Sequence, residues 1–107
     1  MTIDILGTKY KIKYQTEEEN SKLIGANAIF EAFSKELIID KDNMAPAIRK
    51  HDNLSGFNKK VMRHEIIHAF LFEGGLSNYH GDETLTDGLA ILIPKMFKVM
   101  SKLKVLE

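Results

Sequence analysis

The chain changes its hydrophobic rhythm near its middle. In the front half Ile3 and Ile5, then Tyr10, Ile12 and Tyr14, alternate with polar residues on either side of Gly7-Thr8. A two-residue period sets one face of a strand into a core, and a glycine between two such runs marks a hairpin. A second apolar pair, Asn27 to Phe33 and Glu36 to Asp40, is split by Ser34-Lys35. It predicts two further antiparallel strands, with a helix as the alternative for Ala28 to Phe33. Glu17-Glu18-Glu19-Asn20-Ser21 reads as a solvated turn. Lys41 to Asn58 is polar, holds Pro46 and Gly56, and reads as a connector with room for a short helix.

From Phe57 to Glu73 the period is helical. Val61, Met62, Ile66, Ile67, Ala69, Phe70, Leu71 and Phe72 make this segment apolar nearly all round, the pattern of a buried helix. Gly74-Gly75 supplies its stop signal. Leu76 to Gly81 is a loop, and a last helix starts at Asp82 as N-cap and runs toward Leu103, with Pro94 expected to kink or interrupt it. Phe57, Phe70, Phe72 and Phe97 are expected in the core, and Lys95, Lys98, Lys102 and Lys104 on a solvated face. Strands followed by helices give an α+β fold: a small antiparallel N-terminal sheet, a buried helix and a C-terminal helix, in one domain spanning 1–107.

Composition narrows the chemistry. Fifteen Lys+Arg balance 15 Asp+Glu, so no net field draws in nucleic acid or an anionic membrane wholesale. No apolar run reaches the length of a membrane span, and Met1-Thr2-Ile3-Asp4 does not begin like a signal peptide, so a cytoplasmic location is expected. Cysteine is absent, which removes disulfides, thiolate nucleophiles and every cysteine-based zinc site. Any metal has to be held by histidine and carboxylate.

The helical segment contains His64-Glu65-Ile66-Ile67-His68. Histidines at i and i+4 lie on one helix face and can reach one ion. Glu65 is turned about 100° from His64, beside that ion but off its coordination line, where it can take a proton from a water held there. Shuffling this composition yields about 0.01 such matches per chain, so chance is a poor explanation. A buried helix interrupted by two histidines and a glutamate also needs a partner for their charge. A catalytic zinc takes a third protein ligand. The downstream candidates are Glu73, His80, Asp82, Glu83 and Asp87. Glu73 lies too many turns from His64 to reach, and Asp82 is turned away from Asp87 and suits the N-cap. Glu83 and Asp87 share a face, so one can ligate while the other fixes a histidine ring.

His64-Glu65-x-x-His68 followed by Glu83-x-x-x-Asp87 resembles the gluzincin class of zinc metallopeptidases. The stretch from Arg63 to Leu76 is similar to the small minimal gluzincins encoded by phages and prophages. The resemblance implies a zincin-like fold with one Zn²⁺ held by His64, His68 and Glu83. It implies Glu65 as general base, Asp87 as hydrogen-bond partner of His64, and a peptide or protein substrate. Gly88 departs from it, standing where such proteins tend to carry an aromatic. A peptide substrate is expected to pair with an exposed sheet edge, either Ala28 to Phe33 or Leu37 to Asp40. Tyr79 and His80, in the loop between the motifs, are candidates for stabilising an oxyanion. The alternative expectation is a metal-binding module of the same fold that holds a peptide or partner without cleaving it.

Overall fold

A computed structural model describes residues 1–44 and 54–106. Four strands come first: β1 Thr2–Ile5, β2 Thr8–Gln15, β3 Ala28–Glu31 and β4 Glu36–Asp40. Two helices follow, α1 Leu54–Glu73 and α2 Glu83–Leu103. The fold is α+β, as the rhythm of the sequence predicts. His51 and the middle of the expected connector lie outside the described residues; the start of that connector is a short 3-10 turn, Lys41–Met44.

Leu6 and Gly7 both have positive φ and join β1 to β2 as a two-residue turn, with Ile5 opposite Thr8. This turn geometry matches the right-handed twist of the flanking strands. The sheet order is β1-β2-β4-β3. The expectation of a wholly antiparallel sheet is therefore corrected: β4 runs parallel to β2 and antiparallel to β3. The cause lies in β4 itself. Leu37, Ile38 and Ile39 are all buried, so the strand is apolar on both faces and takes an interior place. The half-buried β3 is left at the edge. It is also shorter than expected, ending before Phe33, which is almost fully exposed.

α1 is covered on two sides. Met62, Ile66 and Ala69 pack on the sheet core of Ile5, Tyr10, Ile12, Leu37 and Ile39. Ile67 and Leu71 meet Leu89 and Ala90 of α2. The helix ends where the glycines predict: Gly75 takes positive φ, and Leu76 N–H donates to the Leu71 carbonyl. Glu73 accepts hydrogen bonds from Thr8 Oγ1 (3.0 Å) and Tyr10 Oη (2.6 Å) and pairs with Lys35 Nζ (2.7 Å), which fastens the end of α1 to the sheet. Pro94 does not break α2. It has no N–H for the Ala90 carbonyl one turn back, and Arg63 Nε donates to that oxygen instead at 2.8 Å. Two of the expected core aromatics are corrected. Phe70 and Phe97 are exposed, because no element among the described residues covers their side of either helix.

Candidate metal centre

α1 presents His64 and His68 one turn apart, and the first turn of α2 brings Glu83 against them. Asp82 is the N-cap, its side chain accepting from Leu85 N–H at 2.9 Å, so it is spent on the helix start. That fixes Glu83 as the first helical residue facing α1. His64 Nε2 lies 2.8 Å from Glu83 Oε2, His68 Nε2 lies 3.0 Å from Glu83 Oε1, and the two Nε2 atoms are 3.0 Å apart. Among the described residues these three form the group that can hold a metal ion.

The surroundings decide which ring nitrogens carry protons. His68 Nδ1 meets the His80 carbonyl, which only accepts, so Nδ1 bears the hydrogen and Nε2 keeps its lone pair. His64 Nδ1 faces Asp87 Oδ1 at 3.4 Å, an acceptor that favours a hydrogen on that nitrogen. With the hydrogens so placed, two lone pairs and the Glu83 carboxylate converge on one point, an arrangement a metal ion would complete. The spacing fits zinc, whose tetrahedral ligand atoms stand about 3.3 Å apart, after an opening of a few tenths of an ångström. Burial holds His68 below the usual imidazole range, against the opposing pull of the His80 carbonyl and Glu83. The neutral ring so favoured is the form that ligates.

Glu65 is 5% exposed, and its Oε2 has no hydrogen-bond partner. Burial, and secondarily the charge of Glu83, push its pKa up to about 8. Asp87 is shared between His64 and Lys60, whose Nζ lies 3.1 Å away; that hydrogen bond is the main reason its carboxyl stays below the usual range. Cavities border the cluster on several sides. An open one, of about 490 Å³, lies over His64, Glu83, Asp87 and Gly88. Two more lie along β3: one, of about 290 Å³, reaches toward Lys60 and Asp87; the other, of about 440 Å³, reaches toward His68, Phe30 and His80. Ala26, Ala28, Glu65 and Glu83 line both, so the opening passes from one side of the triad to the other along the free edge of β3. Leu37 to Asp40, the other edge expected, is interior.

The sequence-derived site residues fall into two groups. His64, Glu65, His68, Glu83 and Asp87 come together. His80 contributes its carbonyl to His68, while its ring faces the Ser77 carbonyl at 2.6 Å. Tyr79 is half exposed on a 3-10 turn and lines none of these cavities. Phe30 and Lys60 are additions from the structure. Phe30 stacks on the His68 ring at 6.0 Å and holds its plane. Lys60 had a visible sign, one turn before His64; Phe30 had none, because its place depends on strand order.

Comparison of the chain with protein-family models, curated proteins and solved structures finds no match.

Proposed function

We propose that this chain is a zinc-dependent hydrolase of zincin-like architecture that cleaves peptide bonds, with His64, His68 and Glu83 holding the ion. One observation carries the reading: a buried carboxylate without a hydrogen-bond partner, Glu65, stands beside three convergent metal-ligating side chains. A site that only stabilised a fold has no use for such a group, and leaving it unpaired is costly. When bound, zinc lowers the pKa of water to about 7 and polarises a carbonyl. Glu65 takes the proton of the attacking water and passes it to the leaving amine. Its burial helps the first half of that cycle, since a dry surrounding raises the carboxylate's affinity for the proton it takes. Asp87 and the His80 carbonyl fix the two imidazole rings in the ligating tautomer.

The edge of β3 supports a peptide as the substrate class. An extended peptide adds to a free strand edge through main-chain hydrogen bonds, and this edge borders the opening over the triad. Metal analysis of the purified protein is expected to find about one zinc per chain. Hydrolysis of an unstructured peptide is expected to stop on chelation and return with added zinc. A zinc-free protein, or hydrolysis indifferent to chelation, overturns the reading.

A further inference from the structure

Beyond the metal centre the most unusual feature is the second half of α2. From Leu92 to Val99 all residues are exposed, although five of the eight are large and apolar besides Pro94. The radius of gyration is 14.8 Å against about 13 Å for a compact chain of this length, as a projecting helix requires. At 100° per residue, Val99, Leu92, Leu103, Met96, Met100, Ile93 and Phe97 fill one arc of about 160°. Lys95, Lys98 and Lys102 fall within about 60° on the opposite side. Only Ile91 breaks the division. Ile93 also lines an apolar groove of about 460 Å³ with Ile66, Phe70, Leu71, Leu76 and Leu89, so helix face and groove are one continuous surface.

We infer that this surface is a self-association site: two copies pair about a two-fold axis, the projecting half of α2 of each lying against the groove between α1 and α2 of the other. Three observations choose a second copy. On this face and groove Phe70, Leu76, Leu92, Ile93, Met96, Phe97, Val99 and Leu103 are each 42–65% exposed, a contiguous apolar surface above the few hundred Å² expected on a monomer and of the order of the ~800 Å² each partner gives to a standard interface. The ridge and the groove sit on the same chain, so one isologous contact covers both. The lysines stand behind the apolar arc and stay in water when it is buried, and a chain of zero net charge does not repel its copy. A lipid bilayer fits less well. It is flat and leaves the groove unfilled, and the lysines that anionic headgroups attract face away from it.

Sedimentation equilibrium of the full chain tests the proposal. The expected mass at micromolar concentration is twice 12.2 kDa. Val99→Glu with Leu103→Glu, both at positions more than half exposed, is expected to weaken the dimer at least about 100-fold while leaving the helical circular dichroism intact. Phe97→Ser is the milder variant that serves if the double one fails to fold. Lys98→Glu, on the opposite side, is expected to leave the mass unchanged. A wild-type chain still monomeric at about 100 µM overturns the proposal. So does a dimer that these apolar-face substitutions leave intact. Binding of the monomer to phosphatidylserine–phosphatidylcholine vesicles overturns it too, and assigns the face to lipid.

Discussion

α1 carries two glutamates whose circumstances are opposite. Glu73, at its C-terminal end, accepts from Thr8 and Tyr10 and pairs with Lys35; Glu65, in its middle, has a buried oxygen with no hydrogen-bond partner among the described residues. Lys35 first, then Tyr10 and Thr8, hold the Glu73 carboxyl below its ordinary range, whereas burial drives Glu65 up to about 8. Glu73 also helps raise the Tyr10 phenol, though burial does more. One helix therefore uses a carboxylate as a fastening at one place and keeps another unsatisfied at the next. The difference is in the neighbours each can reach: a strand end rich in donors for Glu73, and the alanine-lined edge of β3 for Glu65.

Six substitutions sharpen that contrast, from the largest effect to the smallest. Glu65→Gln is expected to keep zinc content and melting temperature while peptide hydrolysis falls by about 10³-fold or more, the loss typical of a missing general base. Zinc analysis beside a turnover assay checks it. Asp87→Asn is expected to weaken zinc binding by about 10- to 100-fold through the His64 ring, and Glu83→Ala by more, measured by competition with a chromogenic chelator. If Asp82→Ala lowers zinc affinity as much as Glu83→Ala, the third ligand is misassigned.

Glu73→Gln is expected to lower the melting temperature without touching zinc. The sign of its pH dependence follows from the depressed folded pKa. The stabilisation is present above the unfolded carboxyl value near 4.3 and is lost as pH falls through the lower folded value. The gap between wild type and variant should therefore close in acid, as thermal melts from pH 7 down to pH 3 would show. Gly88→Ala is the smallest change. A Cβ there meets nothing within 4 Å, so the helix should gain about 1 kcal/mol, read as a rise of roughly 4 °C or more in melting temperature.

Much of the scaffold was legible because it follows local periodicity. The first hairpin, the bounds of β4, the glycine stop of α1 and the Asp82 cap all depend on residues close in sequence. The pairing of His64 with His68 was legible for the same reason, since it needs only one helix turn. What escaped depends on distant partners. The parallel pairing of β2 with β4 requires β3 to move to the edge, and only the unbroken run Leu37-Ile38-Ile39 hints at it. Phe30 reaches His68 because of that strand order. Phe70 and Phe97 have the spacing of core residues, but spacing tells which side a residue lies on, not whether anything covers that side.

Pro94 gives the two helices a relation that neither has alone. By denying Ala90 its usual donor it leaves an acceptor open on α2, and Arg63, the residue just before His64, occupies it. An irregularity inside one helix thus becomes a tether between two, placed next to the candidate metal centre yet using none of its side chains. The same proline marks a border. On its N-terminal side α2 belongs to the domain and carries Glu83; on the other it is an arm whose residues are exposed through Val99. Restoring an N–H at position 94 would mend the helix and, by the same stroke, release the tether.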